Sequence, residues 1–132
     1  MGGKKISIEP NLELLKTATD NRGTIIFMKN GPNFLNLVEI KKGFSRGGHF
    51  HPFSSSHNII SGKVEYMEFN TKTMQEKRVV YEAPFVIVVP PFIAHLLTAL
   101  DDVLFVEFFK NKYQDTIFPK YRKIVEKKML EN

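Results

Sequence analysis

The sequence predicts an all-β chain, a sandwich or barrel closed by one short C-terminal helix. Apolar runs of strand length recur from Gly23 to Phe109 and are separated at close intervals by turn formers. Only beyond Pro119 does the apolar spacing change from the two-residue period of a strand to that of a helix. The histidines supply a third observation. Three of the four lie between Gly43 and Gly62, and the fourth, His95, sits in the separate stretch Val89-Pro90-Pro91-Phe92-Ile93-Ala94-His95. On an extended strand His49 and His51 aim at one face. A histidine from a distant strand meets them only if the sheet curls over.

Taken in order, Lys5 to Glu9 and Gly23 to Met28 read as strands, with a polar stretch and the turn formers Asp20-Asn21 between them. Asn30-Gly31-Pro32-Asn33 is a turn, and Phe34 to Lys41 the next strand. Ser54-Ser55-Ser56 reads as a polar turn. Asn58 to Ile60 and Lys63 to Phe69 are short strands divided by Ser61-Gly62. Asn70 to Thr73 is a hairpin turn leading into Met74 to Tyr81. Phe85 to Val89 is a continuous apolar run short enough for a buried strand, and Pro90-Pro91 stops it. Leu96 to Leu100 and Val103 to Phe109 follow, around the turn Asp101-Asp102. From Lys120 to Leu130, Tyr121, Ile124, Val125 and Met129 fall at near-helical spacing, with Pro119 at a permissible helix start. Phe27, Phe44, Phe85, Phe105 and Phe108 read as core or pocket wall. The pattern is that of a jelly-roll sandwich or barrel. It forms one domain over 1–132, with its core about 20–115 and the helix about 120–131.

Composition narrows the function classes. The 132 residues include no cysteine, which excludes disulfides, thiolate nucleophiles and sulfur ligands. No apolar run approaches the ~20 residues of a membrane span, and Met1 to Lys5 has no apolar signal core. Ile6 stands where myristoylation asks for Ser or Thr. A cytoplasmic protein with no membrane partner is the expectation. The net charge of +5 is spread along the chain, densest at Lys120, Arg122, Lys123, Lys127 and Lys128. No basic run is interleaved with stacking aromatics, so no nucleic-acid partner is expected. A modest positive field suits an anionic small molecule such as a sugar nucleotide.

Gly43, His49, His51 and Gly62 resemble the first motif of the cupins, G-x5-H-x-H-x3-E-x6-G. Pro90 to His95 resembles the second, P-x-G-x-x-H. The resemblance covers about residues 20–115. It implies a double-stranded β-helix, the jelly-roll barrel of the cupins, usually a homodimer, with the histidines facing inward. Two positions depart from it: Ser55 replaces the glutamate of the first motif, and Phe92 the glycine of the second. Where cupins hold a metal, the two histidines, the glutamate and the last histidine are its ligands. Here that set becomes His49, His51 and His95, with His57, two residues on from Ser55, able to stand in for the carboxylate. Three neutral imidazoles suit a divalent transition metal such as Zn, Fe, Ni or Mn.

A narrower resemblance gives the leading reading, which needs no metal; a metal-binding cupin acting as a dioxygenase, another isomerase or a non-catalytic small-molecule binder is the alternative to it. Asp20-Asn21-Arg22-Gly23 resembles the D-x-R-G signature of the sugar-nucleotide cupins. Arg46-Gly47-Gly48-His49-Phe50-His51 is similar to the R-G-x-H-x-H segment of the dTDP-4-keto-6-deoxyglucose 3,4-ketoisomerases. Val89 to His95 is similar to a segment of the dTDP-4-dehydrorhamnose 3,5-epimerases, and some capsular-polysaccharide biosynthesis enzymes carry similar runs. This resemblance implies an isomerase that moves a proton beside the ketone of a dTDP-linked deoxysugar and needs no cofactor. His49 and His51 would transfer the proton, since an imidazole is basic yet recyclable near neutral pH. Arg22 and Arg46 would grip the pyrophosphate, and His95, His57 and Tyr113 would line the substrate. The epimerases' acidic tyrosine falls at about Phe108, which donates no proton and so favours the ketoisomerase form. Buried, unpartnered imidazoles cost about 1–3 kcal/mol each, so four converging in one barrel argue for a metal, a ligand or a water network.

Overall fold

The computed structural model describes residues 12–110 and 114–132. The strands are β1 (Glu13–Asp20), β2 (Gly23–Asn30), β3 (Asn33–Ile40), β4 (Ser45–Phe50), β5 (Ser55–Ser61) and β6 (Lys63–Asn70). They continue with β7 (Glu76–Glu82), β8 (Phe85–Val89), β9 (Ile93–Ala99), β10 (Val103–Phe109) and the short β11 (Thr116–Ile117), and α1 (Pro119–Glu131) ends the chain. Two antiparallel sheets form, in the orders β1-β2-β3-β10-β5-β8 and β11-β4-β9-β6-β7. Strands distant in sequence are neighbours in each, as a jelly roll requires.

Strand alternation builds the core. Val38 and Ile40 of β3, Ile59 of β5, and Val103 and Phe105 of β10 face Val64, Tyr66, Leu97 and Ala99 of the other sheet. Each such side chain, fully buried, is worth about 1.5–3 kcal/mol. The helix covers the outer face of the five-stranded sheet. Pro119 sits in its first turn, and Tyr121 and Val125 bury against Met67, Ala94 and Leu96. The Tyr121 hydroxyl donates to Glu76 at 2.6 Å. Among the described residues no helix is long and apolar enough to cross a membrane.

Several sequence expectations change. The strand over Lys5 to Glu9 lies outside the described residues. The polar stretch before Asp20 is β1, exposed along its whole length, which no burial pattern could signal. Ser55 and Ser56 are not turn residues but open β5, because they pair with Val89 and Val88 of β8. Met74 does not begin a strand: its φ of 66° keeps it in the turn, and β7 starts at Glu76. The β8 run is not buried on both faces. It is an edge strand, so Ile87 and Val89 face the core while Val86 and Val88 face outward. Phe85 and Phe108 are 40% and 41% exposed: Phe85 lies at the end of the inner face of β8 and stacks on Tyr81, whereas Phe108 points outward from β10 and walls a groove.

Candidate metal centre

Strands β4 and β9 run side by side, and their register sets His49 opposite His95. A bulge makes that pairing possible. Gly47 pairs with Leu96, Gly48 is the extra residue, and His49 takes the position facing His95. Without the bulge, alternation would turn His49 to the outer face. Gly48 has φ 79°, and a Cβ there would lie 2.8 Å from the backbone N and Cα of Arg122 in α1. Only glycine fits, which accounts for the glycine pair before His49.

His51 follows β4 directly. Its carbonyl accepts the amide of Phe92 at 2.8 Å, tying the end of β4 to the loop before β9. Phe92 holds φ 65°, the left-handed region that favours glycine. The second-motif glycine therefore marks a backbone conformation, which this chain adopts with phenylalanine.

One nitrogen from each of His49, His51 and His95 lies within 4.8 Å of the others. The ring centroids are 4.7 Å apart for His49 and His51, 4.8 Å for His49 and His95, and 5.3 Å for His51 and His95. Each ring is steered through its Nδ1. His51 Nδ1 is 2.9 Å from the Gln114 carbonyl, His95 Nδ1 3.2 Å from the Ile93 carbonyl, and His49 Nδ1 3.4 Å from the Asp115 carboxylate. A carbonyl only accepts, so in His51 and His95 the proton sits on Nδ1 and the lone pair on Nε2. The Nε2 of His95, buried, has no hydrogen-bond partner among the described residues. Burial pushes His95 well below the ordinary histidine range. Burial, and then the neighbouring His51, lowers His49 to about 4. Both rings are neutral at physiological pH, the form that binds a metal.

A second polar row lines the opposite sheet. Register places Asn36 of β3, Glu107 of β10 and His57 of β5 side by side. Asn36 Nδ2 donates to Glu107 Oε1 at 3.3 Å, and Glu107 Oε2 is 3.4 Å from His57 Nε2. Burial alone would raise the Glu107 carboxyl, but His57 and Asn36 overcome it and hold the group at about 2. The His57 ring stands 5.4 Å from that of His95, so the two sheets' histidines meet inside the barrel.

No family model and no curated protein matches the sequence. Solved structures do match the fold. A Bacillus subtilis oxalate decarboxylase, studied for its Mn(II) centres, superposes with TM-score 0.70 at 21% identity over 81% of this chain and 31% of its own. The formate complex of the Lactobacillus farciminis oxalate decarboxylase gives TM-score 0.68 at 25% identity, covering 81% of this chain and 34% of that one. The capsular polysaccharide assembling protein CapF of Staphylococcus aureus gives 0.68 at 17% identity, covering 77% and 30%. The chain folds as a cupin. It spans about a third of the length of these structures.

Within this cupin the remaining predicted residues have distinct places. Ser55, at the motif's glutamate, is buried on the inner face of β5 but brings no carboxylate. His57 is equally buried and is held by Glu107. Arg22 forks onto Asp20, with Nη2 2.7 Å from Oδ2. Arg46 is buried, and its Nε donates to the Glu39 carbonyl at 2.9 Å. These bonds engage the arginines with Asp20 and Glu39. Tyr113 lies outside the described residues. Phe108 points outward, since the inward positions of β10 are Val103, Phe105, Glu107 and Phe109.

Sequence reasoning missed Asn36, Glu107 and Asp115. A signal existed for Glu107, the carboxylate at an inward position of an otherwise apolar strand. A groove of about 620 Å³, walled by Phe108, Phe109, Leu35 and Val88, runs along the six-stranded sheet. Its Phe109 stacks on Phe53, which stacks in turn on His51.

Proposed function

We propose that this cupin is a metal-binding protein. In this reading His49, His51 and His95 hold a divalent transition metal, Mn, Fe, Ni or Zn, and the centre binds a small oxygen-bearing molecule. The observation that carries it is the convergence of three imidazoles, each with its Nδ1 against an oxygen. Nδ1 anchored to an oxygen leaves Nε2 to bind, which is the usual outer support of a metal-ligating histidine. The donor set fits: three imidazole nitrogens with positions left open. A bound metal would supply Lewis acidity, polarising an oxygen of the bound molecule. The protein's own part is to fix the rings, keep His49 and His95 neutral and exclude bulk water. The manganese of the oxalate decarboxylase supports the reading as chemistry that a similar fold holds.

The metal-free isomerase reading is supported by the R-G-x-H-x-H segment and by Arg22 and Arg46. It fares less well on geometry. A base that burial holds near 4 is weak at neutral pH, and Arg22 is forked onto Asp20; Arg46 gives its Nε to the Glu39 carbonyl, while its buried Nη2 has no hydrogen-bond partner among the described residues. The homodimer that the resemblance implies is a further proposal, supported by the outward Val86, Val88 and Phe108.

Calorimetric titration of chelator-stripped protein tests the metal reading. One equivalent of Mn²⁺ or Zn²⁺ should bind, and His95→Ala should weaken it at least about tenfold, since a ligand is worth no less than its outer partner. No uptake of either ion by the parent, or unchanged affinity in His95→Ala, contradicts it.

A further inference from the structure

We propose that His57 is a positioning residue whose Nδ1 accepts a hydrogen bond from a hydroxyl of the ligand bound at the three-histidine centre, its ring held in that tautomer by Glu107. The inference rests on the metal reading above and names the ligand's chemistry.

The row Asn36, Glu107, His57 crosses three adjacent strands in register. Asn36 donates to one oxygen of Glu107, and the other oxygen faces His57 Nε2 at 3.4 Å. A carboxylate only accepts, so it takes the proton of Nε2–H. With the proton on Nε2, the ring's lone pair lies on Nδ1. That atom is buried and has no hydrogen-bond partner among the described residues. The ring meets His95 at 5.4 Å and Phe105 at 5.3 Å, beside the centre rather than in it. No packing demand explains a buried acceptor kept without a donor. A ligand hydroxyl is the group that would complete it.

Charge narrows the ligand further. The carboxylates of Glu107 and Asp115 each lie 3.4 Å from one of the histidines. Arg122 adds a positive field beside His49, where Asp115 offsets it. A ligand with a second negative charge would meet Glu107 across a low-dielectric interior, at a steep Coulomb cost. The chemistry that fits is a hydroxy acid or hydroxyketone carrying at most one negative charge, in preference to a dicarboxylate.

The experiment uses the full chain loaded with Zn²⁺, titrated with glycolate and with oxalate. Metal content of each variant is measured alongside. His57→Phe should weaken glycolate by up to about tenfold, the upper end for one lost hydrogen bond between uncharged groups, leave oxalate within about twofold, and retain its zinc. Glu107→Gln, which keeps the shape and removes the charge, should lower the glycolate-to-oxalate affinity ratio in the same direction. It decides alone if His57→Phe does not fold. Equal changes for the two probes, or none, overturn the inference. Loss of zinc from His57→Phe also overturns it, because His57 would then be a ligand. Absence of zinc from the parent is a different result and sinks the metal reading itself.

Discussion

At the scale of single residues, burial is what suits these imidazoles to their role. His49 titrates near 6.5 in an unfolded chain and near 4 in the folded one. Between those values the unfolded chain takes up a proton that the folded chain refuses, so stability rises with pH there. The contribution is complete above about pH 6.5 and is lost as pH falls toward 4, and His95 acts in the same direction. Glu107 adds a lower window. Its carboxyl titrates near 2 folded against 4.5 unfolded, so its contribution is present above 4.5 and lost as pH falls toward 2. Urea unfolding of metal-free protein should therefore give midpoints that are level above about pH 7 and decline below 6.5. A midpoint that stays level down to about pH 4.5 contradicts neutral, buried rings.

At the scale of elements, two backbone devices place the histidines: the bulge in β4 and the turn at Phe92. Gly48→Ala would push a Cβ into the Arg122 backbone and force a non-glycine residue to φ 79°. Thermal unfolding should show a loss of at least about 2 kcal/mol, and metal affinity should fall with it because His49 shifts. A stable Gly48→Ala with parental affinity would mean that the bulge does not set His49. At Phe92 the comparison is between two truncations. Phe92→Gly should be more stable than Phe92→Ala by about 1 kcal/mol, since both lose the ring but only alanine keeps the left-handed strain. Equal stabilities would argue against that strain.

These elements also show where the sequence could be read and where it could not. His49 and His95 are recognisable because glycine and proline spacing survives at both motifs, and inward alternation follows from the strand period. Glu107 is hard to read because the family's tyrosine position falls one residue on, at Phe108, which faces outward. Asp115 sits just before β11, a two-residue strand with no pattern to announce it. The β1 strand has no buried face, so hydrophobic periodicity has nothing to mark. The seven-residue β9, buried throughout, was legible only in its second half, since Pro90-Pro91 and the motif drew its start toward a loop.

At the scale of the whole molecule, the six-stranded sheet keeps an apolar outer side. Val86, Val88, Ile60 and Phe108 are all at least 41% exposed, and β1, at the sheet's far edge, exposes Leu14 at 64%. Exposed patches of this kind on a β-sheet are association surfaces or aggregation liabilities. Light scattering after size exclusion should give a dimer mass for the parent and a monomer for Val86→Lys with Val88→Lys. A monomeric parent contradicts the homodimer. The same fold encloses four histidines between two sheets, and the account depends most on what three of them hold. X-ray absorption at the metal edge of Zn- or Mn-loaded protein reads this directly. The account predicts three imidazole nitrogens at about 2.0–2.2 Å, falling to two in His95→Ala. A spectrum with only oxygen neighbours, or one unchanged by His95→Ala, would contradict it.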